Sequence, residues 1–438
     1  MELTADLVTA IKDAVHQNLQ VQIELTQKLI RLGGQRGEES VIQEEIMSQY
    51  EKRGYATRRL VMDKKQLSMH QAAGKFSAKH SAAPVIIGVH EPTPECTSTS
   101  PRNSRTLLLN GHIDIVPVGP EDMWTYPPYS GTIEGDWIYG RGGGDMRAGL
   151  LANLFALDAI RKIGKQPASR VILESVPEEE STGNGTLAAY LAGFTADAVI
   201  IPEPSNEALV RANVGVLWFQ IEVKGKPVHV HQMAEGSNAI SSAWKLANAL
   251  KELEKTMNEQ KNGIRYFEHL EHPINLNVAM IEGGDWASSV PAWCRVDCRV
   301  ALYPGITAES VAADIEKVIH DAAQKDAFLT RNPPQVIWNG FFAEGYVLEP
   351  GSEAEELLHT VHHLTSQKSL ACITLPAYLD ARIFSLLDKV PVLVFGPISE
   401  DIHGIDERVS ISSIERVTTS IALFIAAWCG LEDTFSTT

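Results

Sequence analysis

Histidine and acidic residues of this sequence recur at the ends of short apolar runs. They are His112 and Asp114 after the run at 107–109, Asp145 in the glycine-rich stretch 140–147, Glu178, Glu179 and Glu180 after the run at 171–173, Glu203 after the run at 198–201, and His403 beyond the run at 392–395. Imidazole and carboxylate ligands together suit zinc, cobalt or manganese better than calcium. The number of carboxylates favours two metal ions with one bridging ligand and leaves a glutamate to act as general base.

Two local features support the prediction of a metal site. His112 and Asp114 are two residues apart in a segment that reads as extended, so they share one face. A carboxylate in that position can orient a metal-bound imidazole. The three adjacent glutamates at 178–180 repel one another unless something positive, such as a divalent cation, compensates their charge.

The four apolar runs are typical of buried strands in a largely parallel sheet, with helical patterns between them. Ligands of open α/β sheets gather at the carboxyl ends of the strands. Residues 214–338 read differently, because their element order is β-α-β-β-α-β, that of a ferredoxin-like unit. We therefore expect an α/β fold with a discontinuous catalytic domain at 1–211 and 341–438, and an inserted α+β domain at 212–340.

Composition excludes several classes of protein. The 438 residues include 38 Lys and Arg against 55 Asp and Glu, which gives a net charge of −17. Such an acidic chain repels nucleic acid and anionic membranes, and its longest apolar run is too short to cross a bilayer. The five scattered cysteines are predicted to be reduced thiols of a cytoplasmic protein. His359, His362 and His363 are interpreted as part of a solvated helix face.

The segments at 111–114, 144–146, 179–180 and 202–204, together with His403, form a motif series. In order, spacing and strand context this series resembles that of a zinc amidohydrolase family. The family includes acetylornithine deacetylase, succinyl-diaminopimelate desuccinylase, aminoacylase and carboxypeptidase G. The resemblance covers nearly the whole chain and is least clear at 71–105. Glu178, where members commonly have Asp, and Arg147, where many have Lys, depart conservatively from the pattern.

The resemblance implies a role for each residue of the series. His112 and Glu203 would bind one Zn²⁺, Glu180 and His403 the second, and Asp145 would bridge the two, with Co²⁺ or Mn²⁺ as alternatives. Asp114 would orient His112, and Glu179 would take a proton from a water shared by the metals and pass it to the leaving amine. The family also has a cis peptide bond after the bridging aspartate.

The inserted domain carries further family features. The segment at 224–229 resembles one whose histidine, here His229, reaches the neighbouring active site of a dimer and stabilises an oxyanion, with His231 as a rival. Arg299 and Arg382 would contact substrate. By the same resemblance, Ser288 would lie near the substrate, at a position that is often Asn in the family. The resemblance thus implies a homodimer formed through the inserted domain.

We expect a dinuclear metal hydrolase that cleaves the amide bond of an N-acyl amino acid or a similar small N-acyl amine. A dipeptidase, a carboxypeptidase or a formylaminopyrimidine-type deformylase is the alternative within the family. A non-catalytic metal-binding or regulatory protein on the same fold is the alternative outside it. The stretch 183–188 matches G-x-G-x-x-A, but three glutamates directly upstream disfavour a dinucleotide site.

Overall fold

The computed structural model describes residues 2–93 and 105–434 of the chain. Cys96 and most of the loop predicted at 92–106 lie outside the described residues. The helices, in chain order, are α1 Ala5–Arg31, α2 Ser40–Lys52, α3 Lys64–Ser68, α4 Ala148–Lys162, α5 Asn184–Leu191, α6 Ala239–Glu259, α7 Ala308–Ala323, α8 Glu353–Ser366, α9 Ala381–Ile383 and α10 Ile411–Cys429.

The strands fall into five sheets. They are β1 Ala56–Leu60, β2 Val85–His90, β3 Leu107–His112, β4 Thr132–Glu134, β5 Trp137–Tyr139, β6 Lys165–Pro167, β7 Val171–Val176, β8 Ala198–Ile201, β9 Leu209–Asn213, β10 Gly215–Lys224, β11 Leu276–Gly283, β12 Trp293–Leu302, β13 Gln335–Ala343, β14 Tyr346–Val347, β15 Cys372–Leu375, β16 Val392–Val394, β17 Ser399–Glu400, β18 Arg408–Ser410 and β19 Leu431–Asp433.

The central sheet has the strand order β1-β2-β7-β3-β8-β16. Strands β7, β3, β8 and β16 are mutually parallel, and β2 pairs antiparallel with both β1 and β7. Five of the six strands therefore run in one direction, which confirms the prediction of a mixed α/β fold with a mainly parallel sheet. Strand β1 was not predicted, because three of its five residues are polar and its neighbour β2 covers only one edge.

Buried apolar side chains of this sheet form one hydrophobic core with side chains of five helices, which are α1, α2, α4, α8 and α10. Helix α4 is buried along almost its whole length, since its sequence is apolar on all sides. Gly149 permits its close approach to the segment after β8, because a Cβ at this position would lie 2.0 Å from the carbonyl oxygen of Pro202. This close approach places the start of α4 beside Glu203, the residue that follows Pro202 in the chain.

A second, wholly antiparallel sheet has the order β11-β12-β10-β13 and packs α6 and α7 against one face. This order is the ferredoxin-like arrangement that the β-α-β-β-α-β pattern predicts. The proposed domain boundaries fall inside elements, since 211/212 lies within β9 and 340/341 within β13. The division into a catalytic and an inserted domain stays a prediction.

Three smaller sheets complete the five, and one of them is the antiparallel pair β19-β6. The other two have three or four strands each. One has the order β17-β18-β5-β4, and the other, β14-β9-β15, lies where the chain passes into and out of the second large sheet. Among the described residues no helix is both long and apolar enough to span a bilayer.

Candidate metal centre

Seven residues of the motif series meet at the carboxyl-end edge of the parallel strands. His112 ends β3, Glu179 and Glu180 follow β7, and Glu203 follows β8. His403 lies in the loop between β17 and β18, and β18 pairs with β5, which leads into the loop that carries Asp145. The topology therefore gathers residues that are up to 291 positions apart in the chain, from His112 to His403.

Asp145 lies between the two histidines. Its Oδ1 is 3.1 Å from Nε2 of His112, and its Oδ2 is 3.3 Å from Nε2 of His403. His403 Nε2 is also 3.1 Å from Oε1 of Glu180. The His112 side chain is 1% exposed and that of His403 is 50% exposed. The cluster is therefore closed at His112 and open to solvent at His403.

The second nitrogen of His112 fixes the orientation of the ring. Nδ1 donates a hydrogen bond to the backbone carbonyl of Asp114 at 3.1 Å and lies 3.5 Å from the Oδ1 carboxylate oxygen of the same residue. A proton held at Nδ1 leaves the lone pair of Nε2 directed into the cluster, where a metal ligand must present it.

The Asp114 carboxylate also holds the glutamate loop. Its Oδ1 accepts a hydrogen bond from the backbone N–H of Glu179 at 3.3 Å, and its Oδ2 accepts one from that of Glu180 at 3.0 Å. One buried carboxylate thus positions His112 and both glutamates together.

The positive charge of the two histidines does not compensate all the buried carboxylates of the cluster. Burial raises the pKa of Glu179 and of Glu203 well above the usual range, although His112 opposes the shift. Burial would lower the pKa of His112, but neighbouring carboxylates, Glu203 first, outweigh it and raise that pKa. Glu180 and Asp145 raise the pKa of His403 to about 11. The site attracts cations.

The donor set fits divalent metal ions. Two groups of three donors have all their ligand atoms within 4.8 Å of one another, and they share His112; their members are His112, Glu179 and Glu203, and His112, Asp145 and Glu180. Oε1 of Glu203 is buried and has no hydrogen-bond partner among the described residues. A buried carboxylate oxygen without a hydrogen-bond partner, within a cluster of nitrogen and oxygen donors, fits the role of a metal ligand.

The loop that carries Asp145 is held by residues that were not assigned a role from the sequence. Oε1 of Glu407 accepts hydrogen bonds from the backbone N–H groups of Gly144 and Asp145, at 3.0 and 3.1 Å. Buried Arg141 donates to Oε2 of Glu407 at 2.5 Å. The Asp145–Met146 peptide bond is cis, as the resemblance implies. The only feature of the sequence that could have indicated a role for Glu407 is its position four residues after His403.

Glu178 anchors the other side of the glutamate loop. It is fully buried at a backbone φ of +69°, a strained value for a residue with a side chain. Arg36 donates two hydrogen bonds of 2.8 Å to its carboxylate, and the backbone N–H of Ser81 and the hydroxyl of Thr182 donate at 2.7 and 2.9 Å. The irregular segment before β2 is thereby tied to the cluster.

Asp380 is a buried carboxyl near the cluster that sequence reasoning missed. It accepts hydrogen bonds from Thr186 at 2.5 Å and from Tyr378 at 2.8 Å, and burial raises its pKa to about 6. The Tyr378 ring contacts that of Phe341 at an interplanar angle of 38°, and the Phe341 ring meets Trp218 of the second sheet edge-on. This aromatic contact joins the second sheet to the floor of the cluster.

Four predicted residues lie outside the cluster. His229 and Ser288 are exposed neighbours at one end of the second sheet, where Val230 donates its N–H to the Ser288 carbonyl. Arg299 is half-buried on β12 beside Trp218, and its guanidinium makes no hydrogen bond or ion pair with other described residues. The structure does not place any of these three against the carboxylates of the same chain.

Arg382 is buried, and its guanidinium donates to the backbone carbonyls of Glu344 and Ala72 at 3.2 and 3.1 Å. It lines a cavity of about 380 Å³ between the segment before β2 and the start of α7. None of the cluster residues lines this cavity. The hydrogen bonds of Arg382 therefore tie the two halves of the chain together, and a contact with substrate stays a prediction.

An α/β chain with its polar cluster at the carboxyl ends of parallel strands belongs to the class of open-sheet enzymes. A model of peptidase family M20/M25/M40 matches residues 108–427. The chain belongs to this family. It is a hydrolase that acts on amide bonds.

Two curated relatives illustrate the family. N-formyl-4-amino-5-aminomethyl-2-methylpyrimidine deformylase of Halalkalibacterium halodurans is 28% identical over 348 residues, covering 75% of this chain and 80% of the relative. Succinyl-diaminopimelate desuccinylase of Bradyrhizobium is 29% identical over 324 residues, covering 71% of this chain and 80% of the relative. Both are similar to this chain over most of their length.

Solved structures share the fold at lower identity. The di-peptidase Dug1p of Saccharomyces cerevisiae superposes with a TM-score of 0.76 at 16% identity, covering 97% of this chain and 99% of its own. The YXEP protein of Bacillus subtilis, described as a dinuclear metal-binding peptidase of family M20, gives 0.57 at 12% identity, covering 94% and 99%. The likeness extends over both large sheets.

Proposed function

We propose that the protein is a dinuclear metal-dependent deacylase that removes the acyl group from an N-acyl amino acid or a similar small N-acyl amine. The observation that carries this proposal is the cluster of five carboxylates and two imidazoles, open to solvent only on the side of His403, in which one Glu203 oxygen has no partner among the described residues. The relatives named as a deformylase and a desuccinylase both release an acyl group by name. Family membership supplies the amide-cleaving chemistry.

His112 and Glu203 would hold one metal ion, and Glu180 and His403 the other. Asp145 is suited to bridge them, because each of its oxygens faces a different histidine. We propose Zn²⁺, with Co²⁺ or Mn²⁺ as alternatives, because the donors are imidazole and carboxylate. When bound, the ions would lower the pKa of water and polarise the substrate carbonyl.

Glu179 is proposed as the general base and then the general acid. Its side chain makes no hydrogen bond with another described residue, and its Oε2 is 4.0 Å from Nε2 of His112. Its backbone is fixed by Asp114, so the carboxylate is positioned but not otherwise engaged. It can accept a proton from the attacking water and donate that proton to the leaving amine.

Substrate recognition is assigned to the second sheet. Arg299 lies on the sheet face that also carries Trp218, opposite the face covered by α6 and α7, and its guanidinium has no partner within the described part of the chain. A Cβ at Gly340 on the neighbouring strand would meet both Trp218 and the Ser181 carbonyl, so this face adjoins the glutamate loop. We therefore propose that Arg299 binds a substrate carboxylate, with Ser288 and Arg382 as further substrate contacts.

A homodimer through the inserted domain is part of the proposal. Exposed apolar side chains occur on several elements of this domain; they are Val230, Met233, Trp244, Met280, Ile281 and Trp286. Val230 and Met233 follow His229 in the chain, and Trp286 lies in the loop whose Ser289 pairs with His229. An exposed patch of this kind marks an interaction surface. A second copy seated there would cover these side chains, and His229 could then reach the partner's cluster to stabilise the oxyanion. The four free thiols of the described residues favour a reducing compartment, and we propose the cytoplasm.

The test is amine release from N-formyl, N-acetyl and N-succinyl amino acids, a formylated aminopyrimidine and dipeptides, with and without a chelator. We expect release from at least one N-acyl compound, lost with the chelator and restored by Zn²⁺. Glu179→Gln should lower kcat by about 10²–10⁴-fold with metal content unchanged. Glu174→Gln, at another buried carboxyl, is the matched control and should keep activity.

Each outcome of this test separates the alternatives. Release from dipeptides alone would make the protein a peptidase and refute the deacylase assignment. Full activity of Glu179→Gln would refute the assigned base. No release from any compound, by protein that binds two metal ions, would support a binding or regulatory protein.

A further inference from the structure

We propose that Glu355, His359 and Cys372 form a further metal-binding site, separate from the carboxylate cluster, for a zinc-like divalent ion. One donor atom of each residue lies within 4.8 Å of the other two. Nε2 of His359 is 3.8 Å from Oε1 of Glu355. This inference does not rest on the proposed function.

Local structure brings the three residues together. Glu355 and His359 are one turn apart on α8, so they share a face. Cys372 opens β15, which pairs in parallel with β9. The register of that pairing shifts between Ile373 and Thr374, which leaves Arg211 as the extra residue of β9. A bulge of this kind re-aims a side chain, here toward Glu355.

The donor types match zinc and not the alkaline-earth ions. A thiolate, an imidazole and a carboxylate are the three ligand classes that Zn²⁺ accepts, at about 2.0–2.3 Å. An oxygen and a nitrogen ligand of a tetrahedral ion stand about 3.3–3.6 Å apart, so the 3.8 Å between Glu355 and His359 needs only a small side-chain adjustment to bind one. Cys372 is exposed and the His359 side chain is 42% exposed, so a fourth position would remain open to water.

Arg211 accompanies the site and limits its affinity. Its Nη2 donates to Oε1 of Glu355 and, at 3.4 Å, to Sγ of Cys372, and its Nη1 donates to Oε2 of Glu355 at 3.1 Å. The backbone N–H of Gly351 also donates to Oε2, at 3.0 Å. A carboxylate oxygen can accept a hydrogen bond and bind a metal together.

The guanidinium orients both anionic donors, as hydrogen-bonding neighbours of metal ligands do. Its own positive charge repels an incoming dication, so the site is expected to bind an exchangeable ion and not a permanent structural one. As the metal–sulfur bond forms, the thiol proton leaves to solvent.

The place of the site in the fold distinguishes it from the cluster. Arg211 belongs to β9, whose next strand, β10, begins the second large sheet. None of the three ligands belongs to the motif series. The prediction of a solvated face for the three histidines is correct for His359 and wrong for His362, which is buried against the ring of Phe395. His359 is thus free to bind a ligand, and His362 packs in the core.

Cobalt spectroscopy tests the site directly. The carboxylate cluster offers Co²⁺ only nitrogen and oxygen donors, so a thiolate-to-cobalt charge-transfer band can arise only at a cysteine. Metal-free full-length protein is titrated with Co²⁺, and we expect the band at saturation to correspond to one thiolate-bound cobalt ion per chain. Cys294, Cys298 and Cys429 are buried. A Cys96→Ser variant, which changes a residue outside the described ranges, should keep the band.

Two variants decide the outcome. Cys372→Ser should abolish the band. Removing a residue that only hydrogen-bonds to a metal ligand costs about 10–100-fold in metal affinity, so His359→Ala, which removes a ligand itself, should weaken Co²⁺ binding by at least that factor. His363→Ala, at an exposed histidine on the same helix, is the matched control and should leave binding unchanged. Absence of the band, or its survival in Cys372→Ser, would overturn the inference. Amine release is not needed as a readout, so failure here and failure of the proposed function are distinguishable.

Discussion

The substitution Asp114→Asn tests how the cluster is positioned, because this carboxylate meets N–H donors on every side. Oδ1 and Oδ2 accept the backbone N–H groups of Glu179 and Glu180, and Oδ1 lies 3.5 Å from Nδ1 of His112. Asparagine keeps the shape but replaces one oxygen by an NH₂ group. Wherever the NH₂ group lies, it faces a backbone or imidazole N–H. At least one hydrogen bond is therefore lost, and two hydrogen-bond donors then point at each other.

Two estimates of the effect agree. A hydrogen bond to a charged group contributes about 1.5–3 kcal/mol, and one such bond is lost. Loss of a residue that orients a metal ligand costs about 10–100-fold in metal affinity, which corresponds to about 1.4–2.8 kcal/mol. We therefore expect Asp114→Asn to lower the affinity for the ion at His112 by 1 to 2 orders of magnitude, roughly, with the fold preserved.

The assay is competition for Zn²⁺ between the protein and a chromophoric chelator, with circular dichroism to confirm folding. Asp158→Asn is the matched control, since Asp158 is a carboxylate held by Arg53 outside the cluster. It should leave Zn²⁺ affinity unchanged. Wild-type affinity in folded Asp114→Asn would refute the role given to Asp114.

Three further perturbations follow from the structure. Arg36→Gln strips the buried Glu178 carboxylate of its cation and should lower the free energy of unfolding in urea by about 3–5 kcal/mol. Burial raises the pKa of Glu174 from 4.5 to about 8, so the folded state favours the protonated side chain. The stability that this protonated group contributes is fully present below pH 4.5 and is lost as the pH rises through 8. Glu174→Gln should therefore gain stability relative to wild type between pH 5 and pH 8, by up to about 5 kcal/mol in urea unfolding. His229→Ala should lower kcat by about 10²–10³-fold, and mixing it with Glu179→Gln subunits should restore part of the activity.

Each of these expectations has a control. Arg59→Gln breaks the exposed pair with Glu44 and should cost less than about 1 kcal/mol; an equal loss for Arg36→Gln would contradict the buried-pair reasoning. A pH-independent difference between Glu174→Gln and wild type would contradict the raised pKa. Failure of mixed subunits to recover activity, with dimers shown to exchange, would contradict a shared site.

Much of the cluster could be predicted because its residues sit in short motifs next to strands. His112 and Asp114 share a face by their spacing alone, and the glutamates follow a strand directly. Where each strand ends is a local property of apolar runs and turn residues. The sequence could therefore identify the residues of the motif series, while their mutual distances required the sheet order.

Other parts of the site could not be found in this way. Arg36 and Glu178 are 142 positions apart, and nothing in the pattern around Arg36 marks it as a partner. Asp380 follows a tyrosine in an irregular segment, and its role depends on burial beside Thr186. The histidine pattern on α8 indicated one solvated face, but packing against Phe395 buried His362.

The sequence by itself determined the mixed α/β class, the ferredoxin-like order of the second sheet and the residues of the motif series, because these follow from local periodicity and short spacings. Only the tertiary structure decided which carboxylates are buried, which guanidinium compensates Glu178 and which donors surround Asp114. It also brought Cys372 to the helix that carries His359. Burial and charge compensation depend on residues distant in the chain, and strand order alone sets which of them meet.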